Sequence, residues 1–297
     1  MDWTKEVVWV SGVTGAWGQE LCRQLAERGA QKIIGYSRDE HKQAACRERF
    51  HGLRFRWHLG DVRQAEILRW SMKDATVVIH AAAMKRVESG LESPLEMASV
   101  NIDGTRCVIH AVLGSPHVRR AFYISTDKAC EPTTLYGATK LVAESCWRGA
   151  NVYSPAPEFP WFSAGRYGNV LWSTGSVLHV WKRQVENGQA LTIHDPEATR
   201  YLLTKREAVG YVLEALEWCR GGDEMFVPSG LLARGVTMGT LAAAFAGEGY
   251  PWKITGLPSH AKRHERLLPS WPHSGEGKLM DVDECCAVFA CAEGDGE

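Results

Sequence analysis

The stretch "VVWVSGVTGAWG", residues 7–18, decides the fold. It opens with a short apolar run, which predicts a buried strand. Glycines follow at positions 12, 15 and 18, and the polar–apolar pattern of "WGQELCRQLAERG" then predicts a helix that ends at Gly29. The stretch therefore predicts a strand, a tight glycine turn and a helix in direct succession.

The same alternation continues through the first half of the chain. Five further strands are predicted in "KIIGYS", "LRFRWHLGD", "TVVIHAAA", "VRRAFYIST" and "WFSAGRYGNV". Helices are predicted in "SPLEMASVNIDGTRCVIHAVLG" and "LYGATKLVAESCW". Strands that alternate with helices form parallel sheets covered on both faces, so we expect an α/β Rossmann fold with a doubly wound parallel sheet.

After about residue 170 the pattern is less regular. A helix is predicted in "TGSVLHVWKRQVENG", a strand in "ALTIHDP" and another helix in "TKREAVGYVLEALEW". We expect residues 1–170 to form the nucleotide-binding Rossmann domain, with a segment near 200–228 returning to it. Residues 171–297 would mainly form a smaller, interleaved C-terminal substrate-binding lobe.

Composition limits the partners and the compartment. The 297 residues are 45% hydrophobic and 23% charged, with a net charge of −1, so neither nucleic acid nor a membrane surface is expected as a partner. The start lacks the pattern of a signal peptide, and no apolar run approaches the ~20 residues that span a bilayer. The nine Cys are scattered without a CxxC pair, so we expect a cytoplasmic protein with reduced thiols and no metal site.

The glycine turn indicates a nucleotide site. Gly12, Gly15 and Gly18 stand at GxxGxxG spacing between a predicted strand and a predicted helix. Glycines there allow the backbone to approach a pyrophosphate, whose charge meets the N–H groups of the helix start. The alternative is an ordinary glycine-rich turn. The other residues of the turn expected to contact the cofactor are Thr14, Ala16 and Trp17.

The ends of the next strands indicate which dinucleotide binds. Ser37 and Arg38 end the second strand, where a carboxylate would favour NAD and an arginine suits the 2′-phosphate of NADP. The alternative for Arg38 is a solvated surface side chain. Residues expected beside the adenine and along the cofactor follow the third and fourth strands: Asp61, Val62, Ala81, Ala82 and Ala83.

The stretch "STDKACEPTTLYGATK", residues 125–140, indicates the chemistry. Tyr136 and Lys140 are four apart on a predicted helix and so share one face. The lysine can hold the cofactor ribose and depress the pKa of the tyrosine, which can then accept a proton from a sugar hydroxyl as hydride leaves the same carbon. Thr126, at the end of the fifth strand, can hydrogen-bond that hydroxyl.

These motifs resemble those of the extended short-chain dehydrogenases/reductases. Within that superfamily the chain is similar to the inverting UDP-N-acetylglucosamine 4,6-dehydratases of the polysaccharide-biosynthesis group, which open the pseudaminic acid pathway. The resemblance extends from about residue 7 to about residue 245. Matching blocks include "SGVTGAWG", "YSRDE", "GDVR", "HAAAMKRVE", "NIDGT", "RYGNV", "GSV", "DPEATRY" and "FVPS".

The resemblance implies a mechanism. Tyr136 would deprotonate the C4 hydroxyl while NADP takes the C4 hydride. Lys128 would then remove the C5 proton, Asp127 would protonate the departing C6 hydroxyl, and the hydride would return to C6. Lys128 must be partly neutral to act as a base, and burial beside the cofactor can achieve this. Retaining relatives usually carry Met at the position of Tyr136, which points to inversion at C5.

The resemblance also implies substrate contacts and assembly. We expect Asn101 to support the active-site backbone, Asn169 and Arg200 to hold the uridine diphosphate, and the protein to form a homo-oligomer, a dimer or higher.

In two places the chain departs from the family pattern "GSRGSV", with Trp172 replacing a glycine and Thr174 an arginine. The expected substrate-binding set is Lys85, Arg86, Val87, Asn101, Asn169, Arg200 and Glu265.

Two other functions remain open. The first is a nucleotide-sugar 4-epimerase or an atypical 5,6-dehydratase. An epimerase needs no acid–base pair at C5 and C6, so Asp127 and Lys128 argue against it. The second is a non-catalytic NADP-binding sensor, and such proteins typically lose the Tyr or Lys that are present here at positions 136 and 140.

Overall fold

The structure, a computed structural model, describes residues 1–52, 54–154 and 160–293. In chain order the strands are β1 (Val7–Ser11), β2 (Lys32–Ser37), β3 (Phe55–Leu59), β4 (Val77–His80), β5 (Arg120–Ile124), β6 (Trp161–Gly165), β7 (Asn169–Val170), β8 (Leu191–Ile193), β9 (Thr199–Leu203), β10 (Glu224–Phe226), β11 (Gly235–Thr237) and β12 (Trp252–Ile254). The helices are α1 (Ala16–Glu27), α2 (Glu40–Arg49), α3 (Ala65–Met72), α4 (Val87–Glu92), α5 (Pro94–Ala98), α6 (Gly104–Leu113), α7 (Leu135–Gly149), α8 (Val177–Glu186), α9 (Lys205–Trp218), α10 (Met238–Ala246) and α11 (Val282–Glu293).

Seven strands form one sheet in the order β10-β6-β5-β4-β1-β2-β3. Every neighbouring pair is parallel. The chain moves outward from β1 to β3 on one side and from β4 to β10 on the other, so the order reverses between β1 and β4. This confirms the predicted doubly wound fold, and ligands of such sheets bind outside the strand ends at the reversal.

Side chains of the central strands alternate between two cores. Val8 and Val10 of β1 lie in a core with residues of α1 and α9. Trp9 points to the other face and lies in a core with residues of α3, α6 and α7. Because both faces are covered, the central strands are almost wholly apolar, which is why a continuous apolar run predicted β1 correctly.

The later part of the chain contributes a third core and two small sheets. The sheets run β11-β9-β7 and β12-β8. Apolar side chains of α8, α10 and α11 pack against them, with Trp181 wholly buried. Strand β10 instead joins the large sheet, beside β6. The division of the chain near residue 170 into two domains stays a prediction.

The helix predicted over residues 93–114 is divided in the structure. Pro94 begins α5, a π-helical turn spans Ser99–Asp103, and α6 follows. The wider turn contains Asn101, whose side chain binds backbone outside the helix, as described below. Among the described residues, no helix combines the length and apolar character needed to cross a membrane.

Candidate active site

The glycine turn after β1 is built by close backbone contacts. Gly12 has φ +69°, and a Cβ on it would lie 3.0 Å from the backbone nitrogen of Ala82. A Cβ on Gly18 would lie 2.6 Å from the carbonyl oxygen of Gly12. The residue before α1 is Gly15, which has no side chain to cap the helix. The first N–H groups of α1 therefore have no side-chain partner at this position. The turn therefore combines close packing with donors suited to an anion.

A serine at the end of β1 fixes the backbone after β4. The hydroxyl of Ser11 accepts hydrogen bonds from the N–H groups of Ala81 and Ala82, both at 3.1 Å. Its oxygen also lies 2.7 Å from Nδ1 of His80. The two loops at the reversal of strand order are thereby held together, and the alanines expected beside the cofactor lie there.

His80 continues this network into the helix behind the sheet. Its Nε2 lies 3.0 Å from Oγ1 of Thr105, and that hydroxyl donates to the carbonyl oxygen of Asn101 at 2.7 Å. Since the threonine proton is used there, Nε2 of His80 is the donor and Nδ1 accepts from Ser11. Burial lowers the pKa of His80 to about 3, so the ring is neutral.

Sequence reasoning assigned no role to Ser11, His80 or Thr105. In the sequence His80 stands at the start of the run "HAAA", at the end of a predicted strand. The sequence does contain a signal for these residues: each is a polar residue within an otherwise apolar predicted strand or helix. Because buried polar side chains are normally hydrogen-bonded, such residues indicate partners without identifying them.

The predicted 2′-phosphate site lies at the edge formed by β2 and β3. Arg38 is 52% exposed, and its Nη1 lies 3.5 Å from Oδ2 of Asp61. The guanidinium of Arg63, 2.9 Å from Asp61, lowers the pKa of that carboxyl to about 2. Ser37 is buried and accepts from Gln43. Val62 is also buried. The structure thus brings Arg38 and Asp61 together at one strand edge.

The segment after β5 forms a tight turn with its charged residues adjacent. The hydroxyl of Thr126 donates to Oδ1 of Asp127 at 2.8 Å and accepts from the backbone N–H of Lys128 at 3.3 Å. The Nζ of Lys128 lies 3.1 Å from Oδ1 of Asp127. The Asp127 carboxylate is fully buried, and among the described residues its Oδ2 has no hydrogen-bond partner. An unpaired, buried oxygen of this kind is suited to a ligand hydroxyl.

Helix α7 packs directly on this turn. A Cβ on Gly137 would lie 2.2 Å from the carbonyl oxygen of Lys128, so only glycine permits the contact. Tyr136 and Lys140 are carried to the same strand end. Lys140 donates to the carbonyl oxygen of Ile124 at 2.5 Å.

The pKa values of the tyrosine–lysine pair differ partly from expectation. Burial lowers the pKa of Lys140 to about 7, because the positive form is poorly solvated. Burial raises the pKa of Tyr136 to about 12, although the charge of Lys128 and a hydrogen bond with Thr126 oppose the rise. The expectation that Lys140 depresses the pKa of Tyr136 is therefore not met: Lys128 is the cation that favours the phenolate.

The expectation that burial leaves Lys128 partly neutral is wrong for the structure described. Burial does favour the neutral amine, but the carboxylates of Asp127 and Glu265 outweigh it and raise the pKa of Lys128 to about 12. The amine is therefore protonated at neutral pH. Its use as a base requires that its proton first move to a neighbour.

The residues expected to bind substrate lie around this turn in different ways. Lys85 is exposed, yet partial shielding from water, and then the positive charge of Lys128, lower the pKa of its amine. Arg86 is exposed and precedes α4, whose first residue is Val87. Asn169 carries a buried Oδ1 without a partner among the described residues. The side-chain amide of Asn101 binds the backbone of Met84, and its support of an active site stays a prediction.

Arg200 and Glu265 approach from the later part of the chain. Arg200 donates to the carbonyl oxygens of Thr199 at 2.7 Å and of Lys262 and Arg263 at 3.1 Å. Glu265 is 4% exposed, and its Oε1 lies 3.8 Å from Nζ of Lys128. Arg200 thus ties β9 to the segment around residue 262, and any diphosphate contact would use the same guanidinium.

The backbone explains why the family pattern has glycine where this chain has Trp172. Trp172 has φ +55°, a left-handed conformation that glycine adopts without cost. Its ring contacts His179 and Phe245, with centroid distances of 5.6 and 6.0 Å. For a residue other than glycine this backbone conformation costs roughly 1–3 kcal/mol.

The chain resembles several known proteins over most of its length. The family model of polysaccharide biosynthesis proteins matches residues 8–280. The inverting UDP-N-acetylglucosamine 4,6-dehydratase of Campylobacter jejuni is 37% identical over 263 residues, which cover 88% of this chain and 77% of that protein. The UDP-glucose 4-epimerase of Rickettsia conorii is 32% identical over 72% of this chain and 63% of its own length. The solved structure of Pen from Bacillus thuringiensis is 25% identical, covers 98% of this chain and 99% of its own, and superposes with a TM-score of 0.87.

The sheet, the glycine turn and the Tyr136–Lys140 pair define a Rossmann-fold protein of the short-chain dehydrogenase/reductase type. The match over residues 8–280, together with the 37% identity to the Campylobacter dehydratase, is more specific. The chain belongs to the polysaccharide biosynthesis protein family, and its resemblance to the inverting UDP-N-acetylglucosamine 4,6-dehydratases is confirmed.

Proposed function

We propose that the protein is an NADP-dependent dehydratase that converts a UDP-N-acetylhexosamine, UDP-N-acetylglucosamine in the first instance, to a 4-keto-6-deoxy sugar nucleotide. The observation that carries the proposal is the placement of Asp127 and Lys128, 3.1 Å apart, beside Tyr136 at the end of β5. Loss of water across C5 and C6 needs an acid and a base together. Simple oxidation at C4 needs only a tyrosine–lysine pair.

The residues present fit a bound dinucleotide. A Cβ on Gly12 would lie 3.0 Å from the backbone nitrogen of Ala82, so glycine lets the loops after β1 and β4 meet at the strand ends where a dinucleotide would bind. The indole nitrogen of Trp17, in the same turn, is buried without a partner among the described residues. Arg38, at the end of β2, supports NADP over NAD because a guanidinium binds a 2′-phosphate with charge-assisted hydrogen bonds.

In the proposed mechanism the side chains handle the protons. When bound, the nicotinamide supplies the hydride acceptor for C4 and returns the hydride at C6. Tyr136 takes the proton of the C4 hydroxyl, aided by Thr126. Lys128 takes the C5 proton, which the new C4 ketone makes acidic, and Asp127 gives a proton to the departing C6 hydroxyl. Lys140 holds the cofactor ribose.

Inversion at C5, the compartment and the assembly are further parts of the proposal. Tyr136, in place of the methionine of retaining relatives, supports inversion and a role in the pseudaminic acid pathway. Unpaired cysteines support a reducing cytoplasm.

Assembly into a homo-oligomer is supported by apolar side chains that are exposed on neighbouring helices: Leu91 by 71%, Leu95 by 86% and Val142 by 44%. A monomer in light scattering would contradict the last point.

A 4-epimerase is the second candidate, because relatives of that name align with 72% of the chain. An epimerase inverts C4 and leaves C5 and C6 untouched. The buried Asp127 carboxylate beside Lys128 has no task in that reaction. The dehydratase is therefore preferred.

The test is to incubate the protein with NADP and UDP-N-acetylglucosamine in D₂O and to follow the sugar by proton NMR. A dehydratase yields a new C6 methyl signal without coupling to H5, because C5 takes deuterium from the solvent. A 4-epimerase yields the galacto isomer with no methyl signal, and a 5,6-dehydratase yields vinyl protons. An unchanged spectrum, identical to that of Tyr136→Phe, indicates a non-catalytic cofactor-binding protein and refutes the proposal.

A further inference from the structure

The carboxylate of Glu265 lies between two lysines. Its Oε1 is 3.8 Å from Nζ of Lys128, and its Oε2 is 3.3 Å from Nζ of Lys262. The backbone of Glu265 is bound on both sides by Ser274: its N–H donates to the serine hydroxyl at 2.9 Å, and its carbonyl oxygen accepts from the serine N–H at 2.7 Å. The family resemblance implies substrate binding for Glu265, which stays a prediction; its protein contacts add a second role.

The segment that carries Glu265 is anchored to the Rossmann part of the chain. Lys262 donates from Nζ to the carbonyl oxygen of Cys130 at 2.5 Å. Arg166 donates to the carbonyl oxygen of Leu267 at 2.9 Å, and it also pairs with the buried carboxylate of Glu144. The distance between Glu265 and Lys128 is therefore set by contacts on both sides of Glu265 along the chain.

Lys128 faces charges from several elements. Asp127 is its neighbour in the same turn, and Glu265 faces it from the later segment. Arg200 on β9 and Lys85 after β4 bring positive charges, which oppose a second cation nearby. Tyr136 faces it from α7. The two carboxylates prevail, which keeps Lys128 protonated.

We propose that Glu265 is a positioning residue for Lys128: with Asp127 it clamps the ammonium group at the strand end and keeps its proton within the site. This inference rests on the proposed dehydration. The proton of Lys128 can pass over 3.1 Å to Asp127, which leaves a neutral amine and a carboxylic acid. In the elimination the amine lone pair bonds to the C5 proton, and the C5–H electrons form the C5=C6 bond. The C6–O bond breaks as Asp127 returns its proton, so water leaves and both groups regain their charges.

Glu265 contacts a second lysine, Lys262, in addition to Lys128. Lys262 competes with Lys128 for the same carboxylate, so it weakens the hold on Lys128. Removing the charge of Glu265 and removing the charge of Lys262 should therefore have opposite effects on Lys128. Loss of the Glu265 charge makes the amine easier to deprotonate, and loss of the Lys262 charge makes it harder.

The experiment titrates the lysine amines of the full chain by ¹⁵N NMR, with Lys128 assigned from its missing signal in Lys128→Met. Glu265→Gln is expected to lower the pKa of Lys128 by about one to three pH units, as for loss of an opposite charge within ~4–6 Å. Lys262→Met is expected to raise it. Glu276→Gln, the same chemical change on an exposed side chain of the same segment, should leave it unchanged.

An unchanged Lys128 titration in Glu265→Gln overturns the proposal. If that variant does not fold, an unchanged or lowered pKa of Lys128 in Lys262→Met overturns it instead. The titration needs no substrate, so it is independent of the proposed reaction. Where wild-type protein forms no product, the dehydratase assignment fails while the titration still decides the role of Glu265. Where it does form product, the acid limb of the pH–rate profile should move to lower pH in Glu265→Gln.

Discussion

Asn101 holds Met84 at both of its backbone polar atoms: its Oδ1 accepts from the N–H at 2.8 Å, and its Nδ2 donates to the carbonyl oxygen at 2.9 Å. The amide also donates to Oγ1 of Thr139 on α7 at 3.0 Å. One buried side chain therefore fixes the loop after β4 against the helix that carries Tyr136. A π-helical turn widens the helix at this residue, as is frequent at functional sites.

Asn101→Ala should lower the free energy of unfolding by about 2–4 kcal/mol, because it leaves buried backbone groups without partners. It should also lower activity in the fraction that stays folded. Urea denaturation and turnover measure the two effects. Asn151→Ala is the matched control, since Asn151 clamps Phe162 in the same way at the other end of α7. It should destabilise similarly and leave the activity of the folded protein unchanged. Equal loss of activity in both variants would argue against a role of Asn101 in the site.

Gly18→Ala should abolish NADP binding and destabilise the fold by about 1–3 kcal/mol, the usual cost of overpacking. Its Cβ would lie 2.6 and 2.7 Å from the carbonyl oxygens of Gly12 and Val13, and backbone atoms cannot move aside. Gly210→Ala in α9 is the control. There the nearest atom lies 3.9 Å away, so the change should stabilise by about 0.5–1 kcal/mol. Calorimetry and cofactor fluorescence measure both variants, and full NADP affinity in Gly18→Ala would refute the role of the turn.

The fold and the Tyr136–Lys140 pair could be predicted because both depend on local sequence pattern. Apolar runs identify β1 and its parallel neighbours, since strands covered on both faces must be apolar throughout. A spacing of four residues places two side chains on one helix face whatever surrounds them. The order of predicted strands and helices along the chain was enough to identify the fold class.

The electrostatics of the site could not be predicted, because they depend on contacts between distant parts of the chain. Asp127 is adjacent to Lys128, but Glu265 is 137 residues further along the chain; the two carboxylates together reverse the expected pKa shift of the lysine. The sequence pattern also does not predict strand β9, whose residues "TRYLL" overlap the family block "DPEATRY". Its pairing with β7 and β11 depends on segments that are irregular in sequence.

The free energy of unfolding should rise with pH because the buried amine of Lys140 loses its proton. Its pKa is lowered from 10.5 to about 7 in the folded protein, so between those values the unfolded chain binds more protons than the folded one. The free energy of unfolding then increases with pH by up to about 1.4 kcal/mol per unit in this window, and the penalty is fully present below about pH 7. Denaturation of wild type and Lys140→Met at pH 7 to 9 isolates the contribution, since other groups titrate equally in both. A stability difference independent of pH would show that Lys140 is not buried as a neutral amine.

Arg38→Ala should remove the preference for NADP over NAD. A charge-assisted hydrogen bond contributes about 1.5–3 kcal/mol, so NADP affinity should fall roughly ten- to a hundredfold while NAD affinity changes little. Titration calorimetry with both cofactors measures the ratio. Arg106→Ala, which removes a 67% exposed arginine on α6, is the control and should leave the ratio unchanged. Equal affinities for the two cofactors in the wild type would contradict the assignment of Arg38.

The two halves of the proposed reaction should fail separately. Tyr136→Phe should block the reaction before hydride moves, so no reduced nicotinamide absorbance should appear when substrate is added. Lys128→Ala and Asp127→Asn should still oxidise C4, accumulate reduced nicotinamide and lose C5 exchange with D₂O, because elimination then lacks its base or its acid. Each loss should be about 10²–10⁴-fold in turnover, the usual effect of a general acid or base. Lys182→Ala, on the exposed side of α8, controls for the loss of a lysine. Near-full dehydratase turnover in Lys128→Ala would refute the acid–base pair, since another group would then have to remove the C5 proton.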